Sequence, residues 1–112
     1  MERIIPETKK PAYFFALIEV TEEDIKNGKR FDISRCPVAL AIQRITGLDP
    51  DQISVGVSYC KIGNTGKTIF PFTDPIILHW IERFDKLIPV QPIKFNQAIP
   101  EWIYNRIIAK QK

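Results

Sequence analysis

The sequence predicts a small α+β domain: a mostly antiparallel sheet of three or four strands packed by two or three helices, in the order β-α-α-β-β-α-β-α. Two kinds of periodicity and one set of punctuation marks predict it. Apolar residues alternate with small or polar ones from Ile53 to Cys60, the period of a half-buried strand. Ile77, Trp80, Ile81 and Phe84 recur at i, i+3, i+4 and i+7, the stripe of a helix with one buried face. Between such segments stand glycines, prolines and capping residues at the places where helices and strands begin or end. The early strand-helix alternation also leaves a mixed sheet open.

Residues 1–11, with Pro6, Pro11, Lys9 and Lys10, read as a mobile arm, and residues 12–112 as one domain. The run from Ala12 to Val20 is apolar and aromatic and reads as a buried first strand. Thr21-Glu22-Glu23-Asp24 matches a capping box, so a short helix is expected through Lys26 or Asn27, stopped by Gly28. A second helix runs from Pro37 to Thr46; Pro37 suits its first position, and Val38, Leu40, Ile42 and Ile45 make it apolar almost all round. Gly47 and Leu48 read as a left-handed cap with its hydrophobic contact, and Asp49-Pro50-Asp51 as a turn. The strand 53–60 is expected to pair, through Gly63-Asn64-Thr65-Gly66, with Lys67–Phe72, where Pro71 marks an edge or an end.

Thr73-Asp74-Pro75 opens the third helix, which ends near Lys86 or Leu87 ahead of Pro89. Pro92 to Ala98 reads as a last strand, and Pro100-Glu101 starts an amphipathic C-terminal helix, residues 101–110. Trp102, Ile103, Tyr104, Ile107 and Ile108 surround more of that helix than one packed face needs. It either completes the core or docks on a second copy of the chain, and these five residues are the expected interface in the second case.

Composition bounds the function. The chain has 112 residues, 45% hydrophobic and 11% aromatic, which suits one folded domain with a modest core. Its net charge of +3, from 16 basic and 13 acidic residues, permits an anionic ligand without the dense basic stripe of a dedicated nucleic-acid binder. Two cysteines, Cys36 and Cys60, are too few for a secreted disulfide scaffold; one bridge between them is conceivable, but a reducing cytoplasm is the expected setting. The N-terminus lacks the apolar run of a signal peptide, and no stretch approaches a membrane span.

The candidate motifs differ in weight. Gly63-Asn64-Thr65-Gly66-Lys67-Thr68 contains Gly-Lys-Thr, but Lys61 stands where a phosphate loop needs its first glycine, and a strand follows where a helix should. His79 is the sole histidine, and the cysteines lie 24 apart, so no zinc pattern is present and no metal or cofactor is expected. Cys36 sits at a helix start beside Arg35, which lowers a thiol pKa and suggests a nucleophile or redox sensor; against that, it has no base, and a packed apolar thiol is the plainer reading. The best candidate is the basic loop ahead of Pro37. Lys29, Arg30, Ser34, Arg35 and Cys36, with the free N–H groups of the first helical turn, form an expected anion or partner site.

The same stretch carries a resemblance. Thr21, Ile25 and Gly28, then Cys36-Pro37-Val38-Ala39-Leu40-Ala41, then Ile81 to Asp85 leading to Pro92–Phe95, resemble a group of small proteins of bacteria and their phages with no assigned activity. The resemblance spans roughly Leu17 to Ala98 and implies no catalytic residue. The resemblance transfers no function; a phage setting raises the hypothesis of an inhibitor that acts by occluding a host protein, a nucleic acid or a signalling nucleotide. The expected function is therefore a non-enzymatic binding or interaction protein, whose partner is a host protein surface or a second copy. The alternatives are a nucleotide or nucleic-acid binder at the basic loop, and a thiol enzyme or sensor on Cys36.

Overall fold

The structure is a computed structural model that describes residues 13–56, 59–63 and 68–110. The expected arm, 1–11, and the tip of the Gly63–Gly66 turn with Lys67 lie outside the described residues. The chain is α+β with four α-helices and two small antiparallel sheets among the described residues. In order they are β1 (Tyr13–Val20), α1 (Glu22–Asn27), α2 (Pro37–Thr46), a 3-10 turn (Pro50–Gln52), β2 (Ile53–Val55), β3 (Tyr59–Ile62), β4 (Thr68–Pro71), α3 (Ile76–Asp85), β5 (Ile93–Pro100) and α4 (Glu101–Lys110).

One sheet is a long ribbon of β1 and β5, registered from Tyr13 opposite Pro100 to Val20 opposite Ile93. Its period of two sorts the side chains: Ala16, Ile18 and Val20 with Phe95, Gln97 and Ile99 are buried, while Phe15, Leu17 and Lys94 face outward. Helices α2 and α4 pack on the ribbon, and Ile103 and Ile107 of α4 close the core. The other sheet has the order β2-β3-β4.

This arrangement corrects the expected single sheet, and its cause is local. The alternating segment 53–60 is not one strand but two strands of a hairpin, with Val55 opposite Cys60. The Gly56 N–H donates to the Tyr59 carbonyl at 2.8 Å, turning the chain back. A Cβ on Gly56 would meet the Tyr59 ring at 3.2 Å, so glycine lets the strands close. Reversal flips the parity: Ile53 and Val55 are buried before it, and Cys60 and Ile62 after it, with Tyr59 exposed. Period two alone cannot reveal such a flip, because each half still alternates.

Side chains, not a backbone ladder, join the two sheets. Pro71 ends β4 and has no N–H to offer. Gln97, fully buried on β5, donates from Nε2 to the Pro71 carbonyl at 2.7 Å and accepts from the Thr73 N–H at 3.3 Å. The Thr73 hydroxyl donates to the Asn96 carbonyl and accepts from the Ala98 N–H, each at 3.3 Å. Replacing Gln97 by leucine leaves the Pro71 and Thr73 backbone groups without their partner. The expected loss in urea unfolding is about 2–4 kcal/mol. Lys94→Ala on the outer face is expected to stay within about 0.5 kcal/mol.

Candidate functional site

The basic loop between α1 and α2 is positioned from both ends. At the start, Thr21 caps α1: its hydroxyl accepts from the Asp24 N–H at 3.2 Å, and Asp24 Oδ2 accepts from the Thr21 N–H at 2.9 Å. Asp24 is buried, and its other oxygen meets Arg44 of α2 at 2.6 Å. Arg44 also donates to the Glu19 carbonyl at the end of β1, at 2.7 Å. Gly28 stops α1 as expected and leaves it in extended backbone. Its glycine is required by crowding: a Cβ there would lie 2.6 Å from Pro37 and 2.8 Å from the Asp24 carbonyl.

The loop is then closed on itself. The Lys29 N–H donates to the Arg35 carbonyl at 2.8 Å. Asp32 Oδ1 accepts from the N–H groups of Ser34 and Arg35, both at 3.0 Å, and its carbonyl accepts from the Cys36 N–H at 2.9 Å. The Ser34 hydroxyl donates to the Ile53 carbonyl, and the Val55 N–H to the Ile33 carbonyl, which pins the loop to β2. Phe31 at the tip has φ +60° and donates its N–H to Asp85 Oδ1 of α3 at 3.1 Å.

These contacts divide the five expected site residues. Lys29, Arg30 and Arg35 are exposed. Ser34 has its hydroxyl spent on β2, and Cys36 is buried at the edge of a smaller hollow that it lines with Phe31, Val55 and Ile81. The first turn of α2 is equally closed, since Pro37, Val38 and Ala39 are buried.

Cys36 has the surroundings of the packed apolar thiol, the plainer of its two readings. Burial pushes its thiol up from the ordinary 9.0. The amides of Ala39 and Val38 pull the other way without forming a capping hydrogen bond, and the carboxylates of Asp85 and Asp32 add to the rise. Cys60 is pushed up to about 12 by burial, with neighbouring Cys36 adding to it. Both thiols are free, so the conceivable bridge is not formed.

What the loop does line is a groove of about 540 Å³. Ile25, Phe31 and Phe84 form one part of its wall, and Leu87, Ile88 and Val90 the rest, with Lys29 and Arg30 at the rim. The second side belongs to the α3–β5 connection, which sequence reasoning had treated only as a helix end. There α3 closes in a Schellman motif: the Ile88 N–H donates to the Arg83 carbonyl at 2.9 Å, and the Leu87 N–H to the Phe84 carbonyl at 3.1 Å. The left-handed position of that motif ordinarily holds glycine, as Gly47 does at the end of α2 with φ +73°. Here it holds Leu87, with φ +65°. The signal in the sequence was the run Leu87-Ile88-Pro89-Val90, four apolar residues where a surface connection needs none.

Phe31 and Leu87 are the two non-glycine residues of positive φ among the described residues, and both line this groove. Both are also displayed, Phe31 at 75% and Leu87 at 71% exposure. The left-handed conformation costs an L-residue about 1–2 kcal/mol.

The expected interface on α4 is divided in the same way. Ile103 and Ile107 are buried in the chain's own core, and Tyr104 stacks on Phe14 with ring centroids 4.6 Å apart. Arg106 donates to the Thr46 carbonyl, tying α4 to the end of α2. Trp102 remains exposed and Ile108 half-buried. His79 is exposed on α3, and no group of three metal-ligating side chains occurs among the described residues. No helix there is long and apolar enough to cross a membrane. Comparison of the chain with protein-family models, with curated proteins and with solved structures gives no match.

The raised thiols set a test with a definite sign. The folded chain favours the protonated thiols, so stability is full below the ordinary value of 9.0 and falls as pH rises from there toward about 12. Urea midpoints between about pH 8 and about pH 11 are expected to decline less steeply for Cys60→Ala than for the unaltered chain. Alkylation of the native chain by iodoacetamide near neutral pH is expected to be slow, and fast once it is unfolded.

Proposed function

We propose that this chain is a non-enzymatic interaction domain and that it binds through the groove between the α1–α2 loop and the α3–β5 connection. The observation that carries this reading is the placement of Phe31 and Leu87. Two large apolar side chains stand in solvent, on backbone that disfavours them, and both line the same hollow. Packing does not account for either one, because neither is buried. Strained, displayed residues of this kind collect at binding sites, where the surrounding structure holds them in place. Asp85 holds Phe31 through its N–H, and the Schellman turn holds Leu87. The groove is of the size that takes a small ligand or a few side chains of a partner. Binding there covers the partner's surface, which is how an occluding inhibitor works.

An apolar anion tests the reading directly. 8-Anilinonaphthalene-1-sulfonate has an aromatic body for the groove and a sulfonate for Lys29 and Arg30. Its fluorescence is expected to rise saturably with the native chain. Phe31→Ser combined with Ile88→Ser is expected to weaken binding by about tenfold or more, measured on variants whose near-ultraviolet circular dichroism is unchanged. Asp85→Ala is expected to weaken it through the lost anchor of Phe31. Fluorescence that is absent, or indifferent to all three substitutions, contradicts the reading.

A further inference from the structure

From the chemistry of its lining, we infer that the groove receives a short segment of another protein that carries a bulky apolar side chain next to one or more carboxylates. This rests on the groove being the binding surface and adds the chemical class of its occupant.

The first argument is the balance between apolar wall and hydrogen-bonding groups. Among the described residues around the groove, only the side chains of Lys29 and Arg30 can hydrogen-bond; those of Ile25, Phe31, Phe84, Leu87, Ile88 and Val90 cannot. A nucleobase brings ring nitrogens and carbonyls that would be desolvated there without side-chain partners. A phosphate would find the Lys29 and Arg30 side chains, with several of the nearby loop amides already engaged. The Lys29 N–H is spent on Arg35, the amides of Ser34 and Arg35 are spent on Asp32, and the first turn of α2 is buried. A leucine, phenylalanine or tryptophan side chain asks for nothing but apolar wall, and such anchors supply most of the binding energy in protein interfaces.

The second argument is charge. Among the described residues, the groove lining holds two cations and no carboxylate. The nearby acids are engaged or face elsewhere. Asp85 lines the neighbouring hollows on the other side of Phe31 and accepts the Phe31 N–H. Glu82 pairs with Lys86 at 3.0 Å. Glu22 and Glu23 line a separate hollow beyond Val90. The described groove lining is therefore basic at the loop end, while the hollow beyond Val90 mixes Glu22 and Glu23 with Lys26. That orients the occupant with its carboxylate over Lys29 and Arg30 and its apolar anchor between Phe31 and Leu87. Complementary charge of this kind chooses partner and direction more than it adds affinity. An extended or one-turn helical segment fits the arrangement, since either places an apolar side chain and a nearby acid on the same side.

Selection from a displayed library of random dodecapeptides on the immobilised full chain tests the inference. Enriched sequences are expected to pair aspartate or glutamate with a neighbouring leucine, isoleucine, phenylalanine or tryptophan. The leading peptide, synthesised and titrated, is expected to bind about tenfold or more weakly to Phe31→Ser. It is expected to bind similarly weakly to Lys29→Glu combined with Arg30→Glu, and to lose affinity as salt rises. Enriched peptides without acids, lost with Phe31→Ser but indifferent to charge reversal, overturn the inference while leaving the groove as the binding surface. Peptides indifferent to Phe31→Ser, or no enrichment together with no saturable binding of the anilinonaphthalene probe, overturn both. Displacement of the anilinonaphthalene probe by adenosine triphosphate or by oligothymidylate, with no peptide enriched, assigns the groove to a nucleotide instead and overturns the inference.

Discussion

The buried carboxylate of Asp24 is the constraint on which the functional half of the fold depends. It caps α1 through Thr21 and grips Arg44 of α2, and Arg44 in turn holds the end of β1. Three elements therefore meet at one side chain. A buried carboxylate is tolerable only when its oxygens are all engaged, and here they are. With α1 drawn this close to α2, Gly28 has to pass within contact of Pro37, and the residues between them are pushed outward as a loop. Lys29 and Arg35 close the base of that loop, and Asp32 stiffens its interior. The basic side chains and Phe31 are thus carried on a hydrogen-bonded frame, which would lower the entropy cost of the binding proposed for them.

Much of this frame was legible in the residues. The capping box at Thr21, the proline start of α2, the left-handed Gly47 with buried Leu48, and the stripe of α3 all act through local chemistry, and each stands where the pattern put it. The hairpin of β2 and β3 was not legible, because a turn in the middle of an alternating segment leaves the alternation intact on both sides. The junction of the two sheets was hidden for another reason. Gln97 looks like any polar residue in a strand until Pro71 is seen across from it, and that meeting is long-range.

The site shows the same division between near and far. Lys29, Arg30 and Arg35 were visible as a charged loop, and the structure leaves them exposed. Their apolar counterpart was not visible, since Phe31 and Leu87 stand where preference argues for glycine or a polar residue, and the α3–β5 connection joins the loop only in space. Cys36 shows how two local signals compete. A thiol beside arginine at a helix start suggests activation, but burial outweighs the pull of the amides and the thiol is pushed up. Sequence position gives the neighbours of a group, whereas its solvation depends on what the rest of the chain lays over it.

The account stands or falls on the claim that Phe31 and Leu87 are retained for binding at the expense of stability. Glycine at both positions removes the displayed side chains and relieves the left-handed backbone. The direct measurement is urea unfolding of Phe31→Gly and Leu87→Gly beside their affinity for the anilinonaphthalene probe. Each variant should be as stable as the unaltered chain, or more stable by up to about 1 kcal/mol, and should bind the probe weakly or not at all. Marked destabilisation of both variants, or probe binding that survives the change, would contradict the claim.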